Sequence, residues 1–406
     1  MKLLPELRFP EFENKEWKIS PIENFCDVYR GSAFSKSDMK EDGTEQCIHY
    51  GELFTKYNDV ITNVFSRTDK QDGFRSEVGD VLMPSSDVTP DGLARASAIT
   101  EANVILGGDM NILRPFEGVN SIFLSYLLNR SKREIIKLVS GTTVKHIYPS
   151  QIITCELPVI ANETEQQKIA SCLSSLDELI AAHNDKLDAL KDHKKGLLQN
   201  LFPQEGETVP KVRFPEFEDD GEWVETTLEQ VADYQNGKAH EKDIDENGDY
   251  IVVNSKFIST EGETVKYSDT AFCPANLGDI LMVLSDVPNG KAIAKCFYVD
   301  EENRYSVNQR ICRITATDCD SRFLFYIMDR NAYFLSFDDG VKQTNLRKSD
   351  VLEFPFLIPT DPVEQTKIAS CISAVDELIK GQNEKIEELN QHKRGLMQGL
   401  FPKIES

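Results

Sequence analysis

Two short stretches of this chain gather cations that the surrounding sequence does not cancel. Residues 130–145 carry Arg130, Lys132, Arg133, Lys137 and Lys145 against one acid, Glu134, and residues 340–349 carry Lys342, Arg347 and Lys348 against none. Guanidinium and ammonium groups at that density capture anions, phosphate among them. The chain as a whole opposes such capture: 45 Lys and Arg face 68 Asp and Glu, a net charge of −23. That balance argues against a surface attracting polyanions everywhere. Residues 1–164 hold 18 basic and 24 acidic side chains, and residues 204–363 hold 16 and 31. Any anion-binding face is therefore local. For either stretch alone, ordinary solvated surface charge is the competing reading.

Catalytic constellations are harder to find. There is no G-x-x-x-x-G-K-[ST] phosphate loop; Asn289-Gly290-Lys291-Ala292 lacks both the upstream glycine and the magnesium-binding hydroxyl. The [DN]PP[YFW] motif of amino-methylating enzymes is absent. Six histidines stand without metal-ligand spacing, and nine cysteines include no C-x-x-C pair, which predicts reduced thiols rather than a disulfide framework. Neither a metal nor a cofactor is expected, and enzyme is the weaker class. With no apolar run of signal-peptide or membrane-spanning length, the expectation is a cytoplasmic protein with no membrane partner.

The elements that would carry the cations are written twice. Residues 165–203 return as residues 364–402, an offset of 199 at which 23 of 39 positions are identical. RFPEFE at residues 8–13 also returns at residues 213–218, so a whole half is duplicated. Under the offset, Lys145 and His146 align with Thr344 and Asn345, which sets the two basic stretches in equivalent places. Two copies make a pair of modules rather than a solenoid, and a duplicated chain suits a duplicated ligand.

Each repeated segment predicts one long helix. Asn162 and Asp361 stand as N-caps three residues before a Glu, Pro362 takes the first helical position, and Phe-Pro closes both segments. Apolar residues alternate at spacings of four and three. The first seam runs Ile169, Leu173, Leu176, Ile180, His183, Leu187, Leu190, Lys194, Leu197, Leu201; the second runs Ile368, Ile372, Val375, Ile379, Gln382, Ile386, Leu389, Lys393, Leu396, Leu400. That heptad spacing predicts a coiled coil. Lys194 and Lys393 interrupt it at the same rung, either fixing register or snorkelling to water. The simplest assembly pairs the two helices within one chain, antiparallel, with a pseudo-two-fold axis. It is a spacer of about 48 Å from Ile169 to Leu201 at roughly 1.5 Å per residue, with a head at each end.

The heads are mixed α/β. Residues 79–88 and 278–287 read as a strand running out into a polar turn, residues 155–160 and 353–359 as the last strand before each helix, and residues 121–138 and 322–334 as helices. The expected domains are 1–163, 164–203 (helix), 204–362 and 363–406 (helix).

RFPEFE followed by Trp17 or Trp223, then Gly141-Thr142-Thr143-Val144-Lys145-His146-Ile147, then EQQKI opening a helix that closes in G-L-x-Q-x-L-F-P, together resemble the specificity subunit of a type I restriction–modification system. The resemblance covers essentially the whole chain. The second copy departs from it, reading Gly340-Val341-Lys342-Gln343-Thr344-Asn345-Leu346-Arg347. The resemblance implies two target-recognition domains, each reading one half of a bipartite double-stranded DNA sequence. It also implies helices that dock two methyltransferase (modification) subunits and, where present, two restriction subunits. S-adenosylmethionine, ATP and magnesium chemistry would belong to those partners, so this chain supplies address rather than catalysis. The side chains expected to touch DNA are Arg30, Ser85, Ser86, Thr142, Thr143, Lys145 and His146 in the first domain. In the second they are Lys238, Ser285, Gln309, Arg310, Lys342, Gln343, Asn345 and Arg347, all polar or basic residues in turn-like segments. The alternative is a two-headed coiled-coil adaptor joining two proteins without DNA, which the acidic balance favours.

Overall fold

The computed structural model describes residues 3–13, 15–32, 34–287 and 290–404. Asn289, part of the stretch weighed above as a nucleotide loop, lies outside them, as do Met1 and Lys2. The chain divides into two compact units, residues 1–185 with 383–406, and residues 186–382. Two long helices, α1 (Glu163–Leu201) and α2 (Pro362–Gly399), each contribute one half to each unit.

In the first unit, strand Trp17–Pro21 pairs antiparallel with Glu156–Ile160, the last strand before α1. A five-stranded sheet follows in the order Cys26–Arg30, Met110–Pro115, Val81–Pro84, Ser97–Ile99, Val60–Ile61. Its central strands are apolar throughout because both faces are covered: Val81, Leu82, Met83, Ile112 and Leu113 have no exposed surface. A smaller sheet orders Arg67–Thr68, Glu45–Ile48, Ile105–Leu106, Phe74–Arg75. The second unit repeats the plan. Val224–Thr227 pairs with Pro355–Ile358. One four-stranded sheet runs Ala232–Asn236, Ile311–Ala316, Ile280–Val283, Cys296–Tyr298, and another runs Tyr267–Ser268, Tyr250–Val253, Tyr305–Val307, Pro274–Ala275. The mixed α/β class and the paired long helices agree with the sequence reading.

The duplicated motifs turn out to be architecture. Arg8 of RFPEFE donates twice to Glu165 in the first turn of α1, at 2.9 and 3.0 Å, and Arg213 donates twice to Glu364 of α2, at 2.8 and 2.7 Å. Both glutamates are buried, so each needs this forked partner. The next residue, Gln166 or Gln365, accepts the amide of Asn120 or Asp320 and donates to the carbonyl of Ile160 or Pro359. The closing Phe-Pro docks equally specifically. Phe401 packs with Trp17 and Phe123 in the first unit, and Phe202 with Trp223 and Phe323 in the second. In each unit, then, the start of one long helix and the end of the other share one apolar cluster. Ile169 and Leu173 join Leu400, and Ile368 and Ile372 join Leu201. The two helix segments of each unit are antiparallel.

The lysine rungs are not free. In the first unit Lys393 reaches Asp59 and Asp177, and Tyr126 donates to Asp177. In the second, Lys194 pairs with Asp376, to which Tyr326 donates. Snorkelling to water is the reading that fails here.

Three expectations need correction. Residues 121–138 form two helices, Ser121–Arg130 and Lys132–Ile136, because Ser131 leaves helical geometry at φ −92, ψ 29. Likewise residues 322–334 fall into Ser321–Met328 and part of Ala332–Leu335, with Asp329 at ψ 111. The polar ends of residues 79–88 and 278–287 are not simple turns, since each contains a second short strand.

Candidate nucleic-acid interface

That second strand builds the candidate site. Ser86–Asp87 pairs antiparallel with Lys145–His146, placing Lys145 opposite Asp87 and His146 opposite Ser86. In the other unit Ser285–Asp286 pairs with Thr344–Asn345, placing Asn345 opposite Ser285 and Thr344 opposite Asp286. These are the positions that the offset of 199 equates. Several residues assigned from sequence to turns therefore sit in short strands, because pairing satisfies amides that a loop would leave to water.

In the first unit, Arg30 ends the strand Cys26–Arg30 opposite Asn111, exposes its guanidinium, and pairs with Asp109 at 3.3 Å. Asn111 is fully buried and donates to the Ile147 carbonyl at 3.0 Å, tying the hairpin to the main sheet. The Ser85 amide meets the Asp109 carbonyl and the Ile147 amide meets the Ser85 carbonyl, so Arg30, Ser85, Ser86, Lys145 and His146 are neighbours. Ser85 and Ser86 are only 3% and 8% exposed; their hydroxyls belong to the wall and not to the reading surface, a correction to the sequence reading. Thr142 and Thr143 are exposed on the loop. Gly141 opens that loop at φ +99, where a Cβ would lie 2.2 Å from the Val144 oxygen, so no other residue fits. Lys145 turns its ammonium to the carbonyls of Gly141 and Thr142, both at 2.9 Å, and braces the loop. His146 stacks on Tyr148 with ring centroids 6.0 Å apart.

The second unit assembles its candidates as a contiguous set. Lys238 bridges to Asn308, whose neighbours are Gln309 and Arg310, and the Arg310 carbonyl accepts the Leu284 amide at 2.9 Å. Ser285 follows; its hydroxyl, 8% exposed, accepts from Gln343 at 2.6 Å. Ser285 is thus a support for Gln343 and not itself a surface group. The amides of Val341 and Lys342 both donate to Asp339, which holds its carboxyl below the ordinary carboxylate value and leaves the Lys342 side chain exposed. Asn345 and Arg347 are exposed, and the Arg347 amide caps onto Asp350 at 2.7 Å. Gln309 donates to Glu241 at 2.9 Å.

Three features escaped the sequence reading. Asp286 accepts the amides of Val287, Ala292 and Ile293 and so shapes the segment after its short strand. Lys348, counted only as charge, stands over the Tyr234 ring at 5.5 Å. Lys256 and Lys266, isolated in sequence, line one cleft with Gln309 and Arg310. No local pattern signals them, because strand pairing brings them together. Among the described residues no group of His, Cys, Asp and Glu could hold a metal ion.

A family model described as the type I restriction modification DNA specificity domain matches residues 14–192 and again residues 220–391. The type I restriction enzyme MjaVIII specificity subunit of Methanocaldococcus jannaschii is 24% identical over 415 residues, spanning 97% of this chain and 93% of that protein. The putative MjaX specificity subunit of the same organism is 23% identical over 409 residues, spanning 95% and 93%. Among solved structures, the S subunit of a type I restriction-modification system from M. genitalium superposes with a TM-score of 0.67 at 16% identity, covering 99% of this chain and 100% of that one. The twofold match of the family model falls on the internal repeat.

Proposed function

The chain belongs to the type I restriction modification DNA specificity family, and from that premise we propose that each of its two units reads one half of a bipartite DNA target. The reading domains are residues 1–163 and 204–362. The helical segments, residues 164–203 and 363–406, hold them and dock two methyltransferase subunits, with restriction subunits joining where the system has them. This chain is the specificity subunit; methyl transfer, ATP hydrolysis and cleavage fall to those partners. A cytoplasmic site follows from the DNA target, and no helix of the described residues is long and apolar enough to cross a membrane.

One observation carries the reading. In both units the same hairpin projects polar side chains beside the end of the main sheet, Thr142, Thr143 and His146 in one, Lys342, Gln343 and Asn345 in the other. Amide and imidazole groups of this kind pair with base edges, and the exposed Arg30, Lys238, Arg310 and Arg347 suit guanine edges or phosphates. The residues differ between the units while their supports match, as two half-sites of different sequence require. The acidic remainder of the chain restricts binding to these faces and leaves much of the phosphate contact to partners. It also favours the second reading, a protein adaptor without DNA.

Mapping methylated bases in the host genome, together with titration of a labelled duplex by the complex of this chain and its methyltransferase subunits, separates the two. One asymmetric bipartite motif bound above random sequence is the expected result. A complex with no preference among duplexes would leave the adaptor.

A further inference from the structure

We infer that a cationic cleft in the second unit, apart from the hairpin, binds the sugar–phosphate backbone of DNA; this rests on the DNA-reading function proposed above. The cleft encloses about 320 Å³ and is lined by Lys256, Lys266, Arg310, Asn254, Ser255 and Gln309, with Glu241 its one acidic wall residue. Lys256, Lys266 and Arg310 are all exposed, and no carboxylate lies within ion-pair distance of any of them. That is unusual in a segment, residues 204–363, where 31 acids face 16 bases. In such surroundings cations left unneutralised mark a place reserved for an external anion.

The first unit sharpens the assignment. Its Asp109 carbonyl accepts the Ser85 amide as the Arg310 carbonyl accepts the Leu284 amide, so Asp109 and Arg310 are equivalent positions. Thr68 opposite Glu45 and Ser268 opposite Tyr250 equate Ser66 with Lys266. There Asp109 pairs with Arg30, and Ser66 donates to Glu52, whose other partner is Lys56. The equivalent place in the first unit is neutralised internally. Only the second is open to an anion. The chain Lys238–Asn308–Gln309–Arg310 runs from the hairpin residues into the cleft, so a backbone followed out of the reading face enters it. The ligand is a phosphodiester, recognised by charge and hydrogen bonds without regard to base.

The test uses the complex of this chain with its methyltransferase subunits and duplexes of both target and random sequence. K256A/K266A should weaken both duplexes by the same factor and lower the slope of log K against log salt by about 1.8, or about 0.9 per phosphate released. K256R/K266R should restore the slope, and K211A, an exposed lysine of the same unit outside the cleft, should leave it unchanged. A double alanine variant that keeps the wild-type slope and affinity overturns the cleft assignment while the reading function stands. Wild-type complex that binds neither duplex overturns the reading function itself.

Discussion

Replacing Lys393 by Met should destabilise the first unit in a way that acid reverses. The ammonium lies 2.5 Å from both Asp59 and Asp177, its side chain is 18% exposed, and it stands 5.4 Å over the Tyr126 ring. Burial lowers its pKa, but the two carboxylates outweigh burial and the net direction is up. For Asp177 burial pushes the carboxyl up, the ammonium pulls it back, and the net direction is again up. Removing the cation leaves two mostly buried carboxylates facing one another, a loss of about 3–5 kcal/mol near pH 7. In a unit of this size that is roughly a 6–20 °C fall in melting temperature.

The sign with pH is fixed by the carboxylates. With the cation gone, Asp177 rises further above its unfolded value, and a group raised on folding stabilises below that value and loses its contribution as pH climbs. Lys393 itself stays charged throughout the window, because its contribution fades only above its own raised pKa. The stability gap between wild type and K393M should therefore be smallest near pH 4 and widen toward pH 7. Adding D59N and D177N should recover most of the loss at pH 7. Urea melts of the intact chain across that range measure it. A gap below about 1 kcal/mol, constant from pH 4 to 8, would refute the buried cluster and return Lys393 to water. The second unit provides an internal comparison: Lys194 meets one carboxylate and is 28% exposed, so K194M should cost less.

The two tryptophans, one in each unit's closing cluster, report the units separately. In a W223F background, F401A should lower the stability read by Trp17 fluorescence by about 3–5 kcal/mol, while F202A in the same background leaves that signal nearer the parent. R213A should strand the buried Glu364 carboxylate and cost about 3 kcal/mol in urea melts, with R213K recovering little because a single ammonium cannot reproduce the fork. L187D buries a charge at a position 7% exposed and should cost several kcal/mol; unchanged melting would count against the seam. R347A or Q343A should relax the preference at one half-site only, read by methylation of variant duplexes; equal loss at both would refute the division of reading between the units.

The helices were legible because their signal is local. Spacing, caps and Phe-Pro stops sit within a few residues of what they determine, and Asn162 does accept the Glu165 amide at 2.9 Å. The Arg8 to Glu165 pair was not legible, since its partners lie 157 positions apart and only the repetition of both motifs hinted at a connection. Residues 121–138 read as one helix because apolar residues continue in step across Ser131. The hairpin neighbourhood was found, yet three of its members, Ser85, Ser86 and Ser285, are buried. Sequence type marks a side chain able to contact a base. Whether it is free to do so depends on which distant strand covers it.

That difference explains where the two copies diverge. Positions answering to the scaffold keep the same chemistry: arginine on glutamate, glutamine across two backbone groups, an aromatic triad, a lysine held by an aspartate that also accepts a tyrosine. A buried fork or cluster tolerates no partial change, because losing one partner leaves the other unpaid in a medium without water. Exposed positions at the sheet end carry no such constraint, so Asp109 can stand where the other unit has Arg310, and Ser66 where it has Lys266. A specificity subunit needs that arrangement. New target sequences are reached by altering side chains that contribute little to folding, on supports whose own partners are fixed by burial.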